Sequence, residues 1–152
     1  PFFAGVDEAT IDLLAGCARN VHFRAGEVIF REGGAADAFY LVRSGGVSIQ
    51  LHDPAGGGIA IDTVDADEVV GWSWLSETPR WHFDAVAVGE TSAIAFDATC
   101  LRAKCEADHS VGYVFLTQVV RVMTHRLRSA QARLLDLYGH KPGRSFFDGA
   151  TP

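Results

Sequence analysis

The sequence predicts a mainly β domain, a roll or barrel of short strands, closed by a long C-terminal helix. Three observations carry this expectation. Brief β-type runs alternate with glycine-rich turns from about residue 19 to residue 96. A heptad seam runs without a miss from Leu116 to Leu137. The chain is 152 residues long, which suits one domain with a real core.

The elements follow in order. From Asp7 to Ala18, the residues Ile11, Leu13, Leu14 and Cys17 recur at helical spacing behind an acidic first turn, so a short helix is expected against the sheet. Strands are expected at 21–23, 28–30, 39–43, 47–51 and 59–64. The stretch 54–58, P-A-G-G-G, reads as a hairpin tip; a phosphate-cradling loop would need a following Gly-Lys-Ser/Thr and a helix start, and has neither. After Val69 comes G-W-S-W-L-S-E-T-P-R-W-H, residues 71–82. Strands resume at 83–88 and 92–96, and Asp97 reads as the N-cap of a helix through Cys100, Leu101 and Cys105.

The last helix is expected over 110–138. Its seam is Leu116, Val120, Met123, Leu127, Ala130, Leu134 and Leu137, about 30 Å long at 1.5 Å per residue. A second stripe, Val111, Phe115, Val119 and Val122, covers only the first half, beyond which that face carries Arg126, Ser129 and Arg133. The first half should therefore pack on its own roll. The seam should pair with its twin in a parallel homodimer, rather than fold back on its own domain. Gly139, Pro142 and Gly143 stop the helix, leaving 140–152 as a tail in which Phe146 and Phe147 are the docking candidates.

Composition narrows the function. A net charge of -6 argues against a surface for phosphate backbones, and eleven of the thirteen basic residues are arginines suited to fixed, forked contacts. Cys17, Cys100 and Cys105 have no metal-site or redox-motif spacing and read as reduced, partly buried thiols of a cytoplasmic protein. Neither a membrane span nor a signal peptide is expected. His22, His52, His82, His109, His125 and His140 are scattered singly, without the H-x-H pair of a metal-dependent jelly-roll enzyme. No nucleophile motif is present either, so catalysis is not expected.

A-G-E-V-I-F-R-E-G and F-Y-L-V-R-S-G-G-V-S-I, followed by a long helix, resemble the cyclic-nucleotide-binding domain of the CRP/FNR type over roughly residues 5–138. Gly26-Glu27, Glu32-Gly33, Phe39-Tyr40 and Gly45 fall in the family's order, and the glycines suit turns with positive φ. The resemblance implies a double-stranded β-helix (jelly-roll) with a short N-terminal helix and a long dimerisation helix, here residues 1–139. It also implies a phosphate-binding cassette, in which Gly71 matches the glycine, Leu75 the apolar anchor and Arg80 the phosphate-pairing arginine. Trp72 stands where the family places a ribose-binding glutamate, and Trp81, His82, Phe83 and Asp84 replace small and hydroxyl residues after the arginine.

Three readings of the cassette follow. In one, cAMP or cGMP binds through Arg80 and the N–H groups near Gly71–Ser73, with a ring stacking on the base and Thr124 reaching it from the helix. In another, Trp72, Trp74, Trp81 and Phe83 pack the cavity themselves, leaving a ligand-free interaction module. In the third, the pocket holds haem or another small ligand, with His82 as axial candidate. The candidate ligand-binding residues are thus Gly71, Trp72, Ser73, Arg80, Trp81, His82 and Thr124. The expected function is a stand-alone, non-enzymatic regulatory or sensor module acting as a homodimer or with a protein partner, without DNA or membrane binding, since few residues follow Gly139.

Overall fold

A computed structural model describes residues 2–139 of the chain. The elements are α1 (Glu8–Ala15), β1 (Ala18–Phe23), β2 (Val28–Phe30), β3 (Ala38–Ser44), β4 (Val47–Leu51), β5 (Ile59–Val64), β6 (Val69–Val70), a 3-10 turn (Trp72–Leu75), β7 (Asp84–Ala87), β8 (Thr91–Asp97), α2 (Ala98–Ala107) and α3 (His109–Gly139). The tail at 140–152, with Pro142, Gly143, Phe146 and Phe147, lies outside the described residues. Residues up to Val119 form one compact unit, and those from Val120 form a second.

In the first unit the strands make two four-stranded antiparallel sheets, ordered β1-β8-β3-β6 and β2-β7-β4-β5, the expected jelly-roll. Alternation along β3 separates two aromatic clusters. Phe39 packs with Phe2, Phe96 and Phe115, joining the sheet to the N-terminus and α3. The next residue, Tyr40, turns the other way to Phe23 and Phe30. Small residues make room for these rings: Ala95 pairs with Tyr40 and Ala93 with Val42, and Ala85 and Ala87 are buried on β7. The hairpin tip between β4 and β5 is as expected.

Gly26, Gly33 and Gly45 have φ of 79°, 80° and 78°, as their order in the sequence implied. At Gly45 an added Cβ would also lie 2.4 Å from the Glu90 carbonyl oxygen, so any side chain there would force β3 away from the turn before β8.

Helix caps set the boundaries. Asp7 accepts from the Thr10 N–H at 2.9 Å and Asp97 from the Cys100 N–H at 2.7 Å, each closing an N-terminus. α1 is shorter than the spacing suggested: it stops at Ala15, and β1 begins at Ala18, because the segment turns at Gly16 to pair with β8. Helical periodicity through Cys17 is thus a coincidence of burial, Cys17 being buried beside α2 and not on a helix. α3 buries Val111, Phe115 and Val119 within the first unit. In the second unit, Val120, Met123, Leu127, Leu134 and Leu137 are 44–74% exposed.

The cysteines differ from expectation. Cys17 and Cys100 form a disulfide with a Cα–Cα distance of 5.6 Å, leaving Cys105 free. The cause is the β1–β8 pairing: Ala18 faces Phe96, and the Asp97 N–H donates to the Cys17 carbonyl at 2.9 Å. The foot of β1 therefore meets the first turn of α2, although 83 residues separate the cysteines. Closing so long a loop constrains the unfolded chain, and removing the bridge with Cys17→Ser and Cys100→Ser should lower stability by about 2–4 kcal/mol in urea titration. Without reductant the denatured chain should present one reactive thiol, and with reductant all three cysteines of the sequence. Three thiols without reductant would contradict the bridge.

Candidate functional site

The segment 71–84 leaves β6 at a left-handed residue. Gly71 has φ 94°, and an added Cβ would sit 3.2 Å from both the Ala38 carbonyl oxygen and the Trp81 ring. Glycine is thus required twice, by the backbone and by the ring. The single 3-10 turn that follows is tied off by Ser76, whose hydroxyl donates to the carbonyls of Ser73 at 2.7 Å and Thr78 at 2.9 Å.

The four aromatic residues of this segment have different fates. Trp81 is 4% exposed and stacks on Phe30, with centroids 3.8 Å apart and planes at 12°. Because Phe30 also meets Tyr40, Trp81 continues the cluster that lies between the two sheets. Trp74 is buried on the helical side against Phe115, its carbonyl accepting from Arg102 Nη2 at 2.6 Å. Trp72 is half-buried, while Phe83 is 38% exposed. Leu75, expected as the apolar anchor, is also exposed, since the one-turn helix aims Trp74 inward instead.

Arg80 is exposed, and its Nη1 donates to the Gly33 carbonyl at 2.8 Å. Ser73 and His82 come together, with Oγ and Nδ1 3.5 Å apart. Gly71, Trp72, Ser73, Arg80, Trp81 and His82 therefore share one segment. Thr124 is an exposed residue of α3 in the second unit.

The second half of the segment docks against the loop after β2. Gly33 N–H donates to the Trp81 carbonyl at 2.8 Å, Trp81 N–H to the Gly34 carbonyl at 2.9 Å and Ala36 N–H to the Pro79 carbonyl at 2.9 Å. Beneath them lies Asp84, 2% exposed. Its Oδ1 accepts the Glu32 N–H at 2.7 Å, and its Oδ2 accepts from Arg31 Nη1 at 2.9 Å and sits 3.1 Å from His52 Nδ1. Burial alone would raise the Asp84 pKa, but the Glu32 N–H, His52 and Arg31 together outweigh it and hold the pKa below the ordinary value of 3.8. Arg31, His52 and Phe30 do not stand out in the sequence. The available signal was Asp84 itself, a carboxylate opening a strand whose next residues are apolar. Among the described residues no His/Cys/Asp/Glu group could hold a metal, and no helix is long and apolar enough to cross a membrane.

Residues 20–108, more than half of the chain, match the family model described as "Cyclic nucleotide-binding domain". The chain is 27% identical over 143 residues to a CRP-like cAMP-activated global transcriptional regulator of Mycobacterium tuberculosis, covering 93% of this chain and 62% of that protein. It thus spans less than two thirds of that relative's length. Among solved structures, a cyclic nucleotide-binding domain from Methylobacillus flagellatus superposes with a TM-score of 0.78 at 18% identity, covering 95% of this chain and 79% of that one. The Thermus thermophilus catabolite activator protein gives 0.70 at 24% identity, covering 91% and 63%.

Two substitutions test how the segment is held. Since the Asp84 pKa is lowered on folding, its stabilisation is fully present above the ordinary value of 3.8 and is lost as pH falls through the lower folded value. Asp84→Asn should cost about 1–3 kcal/mol at pH 7 in urea titration, a deficit that shrinks below about pH 4. A deficit unchanged at about pH 3 would show that the charge is not what matters. Trp81→Ala should cost about 3–5 kcal/mol as a buried ring lost from the core, and a cost under ~1 kcal/mol would remove its packing role.

Proposed function

The chain belongs to the cyclic nucleotide-binding domain family, and from that premise we propose that it is a non-enzymatic regulatory module, working as a parallel homodimer, whose roll is packed by its own aromatic rings in place of a nucleotide. The Phe30–Trp81 stack beneath Gly71 carries this reading. A ring 4% exposed and stacked at 3.8 Å leaves no slot beside Gly71 unless it swings out, giving up its contact area. Trp72 adds to the argument, because an indole cannot accept the charge-assisted hydrogen bond that a ribose hydroxyl donates to a carboxylate.

A second reading has one observation in its favour. Arg80 follows Pro79 on the exposed side of the segment, and its guanidinium holds a backbone carbonyl and not a carboxylate. A phosphate would compete well for such a group, and cAMP or cGMP would then be the ligand. Calorimetry separates the two. The packed-roll reading expects no saturable heat up to millimolar cAMP or cGMP. Micromolar binding that disappears in Arg80→Ala would overturn it and establish the second reading.

The homodimer rests on the seam. Val120, Met123, Leu127, Leu134 and Leu137 repeat at heptad spacing and are largely exposed in the single chain, as is Leu116. Light scattering after size exclusion should give twice the 16.4 kDa chain mass at micromolar concentration. Leu127→Asp with Leu134→Asp should give the monomer with the roll still folded. A monomeric wild type would remove the dimer from the proposal.

A further inference from the structure

Outside the roll, a cleft of about 500 Å³ is lined by the 3-10 turn, by α2 and by the first turns of α3. Leu75, Tyr113 and Leu116 supply apolar walls, and Arg102, Glu106 and His109 share the lining with Trp74. Its size falls in the range of small-molecule sites, which combine apolar walls with a few convergent polar groups.

At Trp74 the hydrogen bonding is incomplete. The residue is 2% exposed, and its indole Nε1–H is the one buried side-chain polar atom without a hydrogen-bond partner among the described residues. Buried donors are normally satisfied, so this one calls for an acceptor that the described residues do not supply. Arg102 lies against the same residue, donating from Nη2 to the Trp74 carbonyl at 2.6 Å with its guanidinium 5.9 Å from the ring. That bond uses one of the five guanidinium N–H groups. Indole and guanidinium are both donors only, so the complementary ligand group is an acceptor, and the charge and fork of the guanidinium favour a carboxylate. Glu106, one turn beyond Arg102, opposes an anion and argues for a single charge on the ligand and against a di- or trianion.

We propose that this cleft binds a small monocarboxylic acid with an apolar body, whose carboxylate takes the Trp74 indole N–H and the remaining N–H groups of Arg102 while its body lies against Leu75, Tyr113 and Leu116. Since Nε1 is closed off from solvent, entry of the ligand requires the one-turn helix carrying Trp74 to give way. The ligand would thereby fix that turn against α2 and α3. The site is separate from the roll interior, and its test does not depend on whether a nucleotide binds.

The experiment follows indole N–H signals of the ¹⁵N-labelled chain during titration with decanoate. The three tryptophans give three signals, and Trp74→Phe assigns one of them. Decanoate should move the Trp74 signal downfield in a saturable way, by clearly more than those of Trp72 and Trp81. Decyltrimethylammonium, with the same tail and no acceptor, should not move it. Arg102→Ala should weaken decanoate at least tenfold. Should that variant unfold, Leu75→Glu, a change at an exposed residue that adds a carboxylate to the wall, should weaken it to the same degree. The proposal is overturned by no saturable shift at millimolar decanoate, or by an equal shift with the ammonium. It is also overturned if the Trp74 signal responds to protein concentration and not to decanoate, which would mean that a second copy covers the cleft.

Discussion

The docking of residues 79–84 onto the loop that follows β2 is the constraint on which the rest of the site depends. Three backbone hydrogen bonds, the Arg80 contact to Gly33 and the Phe30–Trp81 stack join the two segments face to face. Each neutral hydrogen bond is worth only about 1 kcal/mol net, whereas burying an indole contributes several times that. The stack is thus what chiefly holds the segments together, and the hydrogen bonds give it direction. Gly71 is the price of it: at a φ of 94° a side chain would be strained, and its Cβ would press on the Trp81 ring at 3.2 Å.

Asp84 does the polar part of the same work. A carboxylate 2% exposed would be expelled or protonated if it were unpaired, yet its pKa is lowered, because three donors converge on its two oxygens. Two of those donors, Arg31 and His52, are themselves about half exposed, so the pair energy is partly screened. The family pattern places a carboxylate directly after the cassette glycine, where this chain has Trp72. Here a buried carboxylate stands at the far end of the segment and holds the protein's own loop.

Much of the fold was legible because its signals are local. Glycines at 26, 33 and 45 mark turns through a backbone requirement that one residue can reveal, and Asp97 before Cys100 marks a cap. The exposed stripe from Val120 to Leu137 was legible for the same reason, since helical periodicity is a property of one segment. What was not legible is set by distant partners. Cys17 and Cys100 look like two unrelated thiols until β1 and β8 are paired. Trp72, Trp74, Trp81 and Phe83 look alike in the sequence, but one is half-buried, one faces α3, one fills the space between the sheets and one is exposed. Their sorting depends on the short 3-10 turn and on Phe30 and Phe115, both far away in sequence. His52 and Arg31 give no sign on their own, because the feature that makes them matter is a shared oxygen of Asp84.

These contacts also say how a change in the segment can be felt beyond it. Besides the burial of Leu101 and the Ala98 N–H bond to the Asp37 carbonyl, α2 has two attachments of different strength within the first unit: Cys100 bonds it to the foot of β1, and Arg102 bonds it to the carbonyl of Trp74 in the 3-10 turn. The first attachment is covalent and ties α2 to the sheet. The second is one charge-assisted hydrogen bond at 2.6 Å, backed by the guanidinium over the ring, and is the weaker of the two. The 3-10 turn is thereby joined to α2, and α3 begins directly after α2, at His109. A ligand or partner regulates through this contact only if it binds one position of the turn more tightly than another. Trp74 is where the turn touches both helices, since it meets Phe115 on α3 with its ring and Arg102 on α2 with its carbonyl.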